Sequence, residues 1–262
     1  MTIIVYEHPL SPYAQKVKIA LDEKGIAFET RMPTAIGTGQ PDDEFLKANP
    51  RGEVPALIDG DVRLFDSTII LEYIEDKWPE PALLPRDAAG RAHARTIEDV
   101  MDTSFEPINW GLGEIRWFKR ADGERARTLE ARAMNQARGL YAWLTRLLGD
   151  QQWFDPRHFG WADLCVVPYL NGAAGLGIGP EAQTPLGQWL ARANERASVS
   201  KAAKAAAASI AGMNMVADAV KQGAFKREYR DHRLEWMIRS GGLDVVIEGL
   251  KTETIRFSNE LS

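Results

Sequence analysis

A single cysteine, Cys165, stands in the 262 residues of this chain. It excludes an intrachain disulfide and any multi-cysteine metal site, and it suits a reducing compartment. Histidine is scarce too: His8, His93, His158 and His232 share no metal-ligand spacing, so no metal is expected. Positive charge is not in excess. The 32 Lys and Arg face 37 Asp and Glu, a net charge of −5, which argues against nucleic-acid binding driven by phosphate neutralisation. Long apolar runs are missing as well. The longest uncharged stretch, Leu164–Pro180, is punctuated by Pro168, Asn171, Pro180 and four glycines, whereas a membrane span needs about 20 mainly apolar residues. The opening MTIIVYEHPLSPYAQK has no basic leader, so no secretory signal is expected. The motifs G-x-S-x-G, G-x-G-x-x-G, H-E-x-x-H and the P-loop do not occur. With 45% hydrophobic and 26% charged residues, the balance is that of a soluble globule, expected in the cytoplasm.

Strand and helix signals alternate through the first 78 residues. TIIVY at 2–6 is a β-branched run. Ser11-Pro12 then opens a helix with Val17, Ala20 and Leu21 on one face and Gly25 as its stop. Residues 26–32 read as a strand, 33–42 as a loop, and a short helix around 44–48 ends before Asn49-Pro50. Two short strands, 55–58 and 62–65, flank Asp59-Gly60-Asp61 as a hairpin. A last helix from Ser67 carries Ile70, Tyr73, Ile74 and Trp78. The order is β-α-β-α-β-β-α, with a parallel first pair and an antiparallel hairpin.

WPEPALLPRD reads as a linker. The expected division is a sheet domain at 1–79, a linker at 80–88 and an all-helical domain at 89–262, with an extension from about 212. The helical part is read as a stretch over 89–118 interrupted around Pro107 and Gly111–Gly113. A long helix follows, capped at Asp122 and ended by Gly149, then helices at 161–170, 184–195 and 200–210. Seven of the eight tryptophans fall in this part. The run KREYRDHRLEWMIR in the extension reads as a solvated helix face.

Three local features carry chemistry. Ser11, at a strand-to-helix turn, is either a plain N-cap or a hydroxyl donor to an anion at the positive end of the helix. Val54-Pro55 is either a trans proline opening a strand or a cis bond that turns Val54's backbone toward an extended peptide. Asp66-Ser67, at a second helix start, is either ordinary capping or a grip for an ammonium and a carboxylate.

Together they resemble the thioredoxin-like N-terminal domain of the glutathione S-transferase superfamily, through SPYAQKVKIALDEKGI, FLKANPRGEVPALIDG and LFDSTIILEYIEDKWPEPALLP. The helical half resembles the family too, with WFDPRHFGWADLCVVPYL as its buried core helix. The resemblance implies an α/β plus all-α fold, glutathione as co-substrate and a homodimer. It implies that Ser11, as in serine-type tau-like and zeta-like members, stabilises the glutathione thiolate, with Tyr6 as rival. Val54, before a cis Pro55, would pair with the cysteinyl backbone; Asp66 and Ser67 would hold the γ-glutamyl end. Glu53 departs from the Lys or Gln common in the family, which leaves Gln40, Lys47 and Arg51 as candidates for the glycyl carboxylate. Gly160 departs from the usual Ser or Thr cap, and Asp163 is expected to reach back to its N–H.

An acceptor pocket is expected between the domains, with Tyr13, Phe105, Trp110, Trp117 and Tyr169 as candidate lining and core packing as the alternative for each. The implied reaction is conjugation to a hydrophobic, aromatic electrophile. Glutathione-dependent dehalogenation or ether cleavage, and a non-catalytic interaction module on the same fold, are the alternatives.

Overall fold

The computed structural model describes residues 2–34, 42–210, 213–228 and 231–256. Strand β1 (Ile3–Tyr6) runs parallel to β2 (Phe28–Arg31) across helix α1 (Pro12–Glu23). Helix α2 (Asp43–Ala48) leads to β3 (Ala56–Asp59), which is antiparallel to β1 and forms a hairpin with β4 (Val62–Phe65). Helix α3 (Ser67–Lys77) follows, and the sheet order is β2-β1-β3-β4. This is the mixed sheet that the alternating pattern predicts, in the thioredoxin-like arrangement.

The proline-rich stretch is tied down rather than loose. Lys24 Nζ donates to the carbonyls of Trp78 and Pro81, at 2.7 Å each, and pairs with Glu75 at 2.8 Å. Glu75 in turn accepts from the N–H groups of Leu83 and Leu84, both buried.

The helical domain begins with α4 (Ala88–Val100), a π-helical turn (Met101–Phe105) and α5 (Glu106–Arg116). The interruption expected around Pro107 is the π-helical turn just before it, whereas the break expected at Gly111–Gly113 does not occur. Pro107 lies in the first turn of α5, where its missing N–H costs nothing. Gly111 stays helical because it makes room: a Cβ there would lie 2.4 Å from the Trp236 ring. Next come α6 (Gly123–Leu148) and α7 (Trp161–Gly175). Helix α7 passes through Pro168 and outruns the expected end at 170; Gly177, at φ 72°, supplies the stop. Gly160 caps α7, and its N–H donates to Asp163 at 3.1 Å. Helices α8 (Pro185–Asn194) and α9 (Ala197–Ile210) complete the body.

The extension folds as α10 (Met213–Lys221), β5 (Arg227–Glu228), α11 (Asp231–Arg239), α12 (Leu243–Lys251) and β6 (Ile255–Arg256). Its charged run is not merely a solvated face. Arg227 and Arg233 pair with the buried carboxylates of Glu114 and Glu106, at 2.6 and 2.9 Å, while Trp236 and Met237 are buried. No helix among the described residues is long and apolar enough to cross a membrane.

Candidate active site

Between β1 and α1 the chain turns on its own polar groups. Ser11 N–H donates to the His8 carbonyl at 2.8 Å, Leu10 N–H donates to His8 Nδ1 at 3.2 Å, and Gln15 Nε2 donates to the Pro9 carbonyl at 2.8 Å. Ser11 is the N-cap of α1: its Oγ accepts from Ala14 N–H at 3.3 Å, and Pro12 fills the first helical position. That bond uses an oxygen lone pair, and among the described residues nothing accepts the Ser11 O–H proton. The hydroxyl keeps its donor at the positive end of α1. Tyr6, the rival, is buried against Phe45 with ring centroids 5.2 Å apart, and burial raises its phenol above the ordinary value.

The second loop is organised by Asn49, which is buried. Its Nδ2 donates to the Glu53 carbonyl at 2.6 Å, its Oδ1 accepts from Arg51 N–H at 3.0 Å, and Gly52 turns back at φ 69°. The Val54–Pro55 bond is cis, as the resemblance implies. Arg51 stacks its guanidinium on Phe65, 5.3 Å from the ring centroid.

The third loop centres on Asp66, which caps α3 by accepting from Thr68 and Ile69 N–H groups at 3.0 and 3.3 Å. It does so at φ 74°, in the left-handed region that a non-glycine residue rarely enters. Such strain is held only where the surroundings fix it, and it concentrates at functional sites.

These two loops and the helical domain enclose a cavity of about 250 Å³. Arg51, Val54, Pro55, Asp66 and Ser67 line it, with Tyr13, Asp99, Asp102 and Thr103 opposite. Ser11 is not in its lining; Tyr13, two residues on, is. Lys47 is exposed and outside the lining, and Gln40 falls outside the described residues. Arg51 is therefore the cation that the cavity presents among the described residues.

Beneath the cavity lies an ionic knot that no local motif announced. Lys16 on α1 is fully buried, with its Nζ 2.6 Å from both Glu98 Oε1 and Asp102 Oδ2. Although burial works against its charge, the two carboxylates hold the ammonium well above the ordinary lysine value. Glu98 also accepts from Thr68 Oγ1 at 2.8 Å and Trp161 Nε1 at 2.6 Å; Asp102 accepts from the Tyr169 hydroxyl at 2.6 Å. The start of α3, the body of α1 and the π turn are thereby fastened together. A lysine on an amphipathic helix ordinarily reads as surface, so the sequence held no signal for it.

The aromatic candidates divide. Tyr13 lines the cavity, its hydroxyl donating to the Asp102 carbonyl at 3.0 Å. Phe105 and Tyr169 are a correction: both are fully buried, packed on each other at 6.4 Å, and offer no face to a ligand. Trp110 is absent from the lining of the cavity; Arg227 and Arg233 of the extension lie over its ring at 5.5 and 5.4 Å. Trp117 packs with Phe118 and Val220.

Comparison with known proteins gives the same direction. Residues 5–82 match the model for the glutathione S-transferase N-terminal domain. Glutathione S-transferase Z1 of Arabidopsis thaliana is 34% identical over 173 residues, 64% of this chain and 76% of the relative. Maleylacetoacetate isomerase of Pseudomonas aeruginosa is 33% identical over 189 residues, 70% of this chain and 85% of the relative. The crystal structure of rice GST1 in complex with glutathione superposes with a TM-score of 0.70 at 25% identity, covering 83% of this chain and 99% of that one. Two relatives one-third identical over most of their length, and the same fold in a solved glutathione complex, establish that this chain belongs to the glutathione S-transferase family of enzymes.

Proposed function

We propose that the chain binds glutathione in the cavity and transfers its thiolate to an electrophilic small molecule, with Ser11 as the sulfur's hydrogen-bond donor. The observation that carries this reading is the gathering of Arg51, Val54, Asp66 and the α3 N-terminus around one cavity. Glutathione has one ammonium and two carboxylates. Asp66 meets the ammonium, the N-terminus of α3 at Ser67 meets the γ-glutamyl carboxylate, and Arg51 faces the glycyl carboxylate. Val54, whose backbone enters no hydrogen bond among the described residues, is free to pair with the cysteinyl unit.

A free thiol has a pKa of about 8.5, so a donor and a helix N-terminus that lower it by one to two units make most of it thiolate at neutral pH. With an aryl halide, sulfur forms a bond to the ring carbon, the carbon–halogen bond breaks and halide leaves; the thiol proton has already gone to solvent. The Pseudomonas aeruginosa relative supports a second reading, in which the same thiolate adds to an activated alkene and departs from its isomer. Asp99 and Asp102 on the cavity wall disfavour a multiply anionic acceptor there. A homodimer in the cytoplasm belongs to the same proposal, and size-exclusion chromatography tests its oligomeric part.

Ser11→Ala tests the central role. Losing one hydrogen bond to a charged sulfur is worth roughly 1.5–3 kcal/mol, so turnover of a chromogenic aryl halide falls about tenfold or more. Ser11→Thr keeps both the cap and the hydroxyl and retains activity. Unchanged turnover in Ser11→Ala, or no thermal shift of the wild type with millimolar glutathione, overturns the proposal.

A further inference from the structure

Helix α12 carries apolar residues on two separate faces. Val245, Val246 and Gly249 turn inward: the valines are buried, and a Cβ at Gly249 would lie 2.4 Å from Ile255. Leu243, Ile247 and Leu250 turn outward and are 44%, 39% and 48% exposed. Their spacing of four and then three residues is that of a helix-pair seam, one stripe along the helix. Asp244, Glu248 and Lys251, all exposed, share a single edge beside that stripe. A helix this apolar is ordinarily covered all round. Among the described residues, only its inner face is.

The polar edge indicates what covers the outer face. Asp244 lies in the first turn of α12 and Lys251 in its last. A second α12 laid antiparallel about a two-fold axis at Ile247 brings Leu243 of each copy against Leu250 of the other. The same rotation reverses the helix and leaves both polar edges on one side. Asp244 stands three residues before Ile247 and Lys251 four after it, so each Asp244 falls beside the other copy's Lys251. A parallel pair would instead set Asp244 against Asp244 and Lys251 against Lys251. Both partners are open to such a contact. Lys251 has no ion-pair partner among the described residues, and Asp244, with its side chain 71% exposed, takes one bond from Arg125 at 3.3 Å.

We propose that the outer face of α12 is a self-association surface, on which a second copy of this chain docks antiparallel about a two-fold axis through Ile247. Apolar side chains supply the contact, and the two Asp244–Lys251 pairs fix its direction. Three side chains from each copy cover much less than the roughly 800 Å² per partner of a standard interface, so the pairing responds to concentration. No residue of α12 lines the cavity described above, and the inference does not rest on the glutathione reading. If the homodimer uses another face, α12 joins two such dimers; otherwise α12 makes the dimer itself.

The test uses the full-length protein. Cys165 is its only cysteine and is buried, so an introduced thiol reports its own position. Under mild oxidation Ile247→Cys, on the axis, forms a disulfide-linked pair, whereas Gln183→Cys, exposed ahead of α8, does not. Sedimentation at low ionic strength shows the wild-type mass doubling as concentration rises about a hundredfold. Asp244→Lys and Lys251→Asp each turn two attractions into repulsions and weaken that association about threefold or more, and combining them restores it. A mass constant across the range overturns the inference. So does a linked pair no more abundant in Ile247→Cys than in Gln183→Cys, or a double variant no better associated than either single one.

Discussion

Replacing Lys16 by methionine removes the one cation from the knot beneath the cavity while filling most of its volume. The two carboxylate oxygens it holds lie 2.6 Å from the same nitrogen, so they stand within about 5 Å of each other. At an effective dielectric of about 20, two unit charges at that distance repel by about 3 kcal/mol. Removing one partner from a buried pair costs about 3–5 kcal/mol for the same reason. For a chain of this size the melting temperature then falls by roughly 6–20 °C. The loss depends on pH with a definite sign. Burial already raises the Asp102 carboxyl above its ordinary value, and Lys16 opposes that rise. Without Lys16 the folded-state value climbs further. A carboxyl raised in the folded state contributes stability that is present at low pH and lost as pH rises above the ordinary carboxylate range. The variant is therefore closer to wild type at pH 5 than at pH 8, by thermal denaturation at both. Adding Glu98→Gln to Lys16→Met recovers part of the loss at pH 8. Because Thr68 at the start of α3 bonds to Glu98, KM for glutathione also rises in Lys16→Met. A fall of less than about 2 °C, or a larger loss at pH 5 than at pH 8, refutes the argument.

Two other substitutions read different parts of the site and its frame. Arg51→Ala removes the guanidinium that lines the cavity; on the proposed reading KM for glutathione rises about tenfold, consistent with a charge-assisted bond of roughly 1.5–3 kcal/mol. Steady-state kinetics with the glycyl ester of glutathione check it, since the ester should separate the two proteins far less; an equal KM for glutathione in both removes Arg51 from the site. Gly160→Ala places a Cβ 2.8 Å from the Leu83 carbonyl oxygen, closer than a methyl tolerates. Overpacking of that kind costs about 1–3 kcal/mol, and denaturant unfolding reads it as a lower midpoint with an unchanged slope.

Gly160 also shows why some features stayed hidden in the sequence. Read locally, a glycine at a cap is a weaker version of serine. In the fold it is where the incoming linker crosses the start of α7, with Trp161 N–H donating to the same Leu83 carbonyl at 2.8 Å. The reason is a contact 77 residues away along the chain, which no periodicity encodes. Strands and helices of the sheet domain were legible because their signals are local: β-branched runs, Pro at a first helical position, Gly25 as a stop. Helix α5 was misread because Gly111 answers to Trp236 and not to its own neighbours. Phe105 and Tyr169 were misplaced for a related reason. An aromatic at helical spacing is legible as buried or amphipathic, but which side of a domain boundary it faces depends on the packing of α4, the π turn and α7.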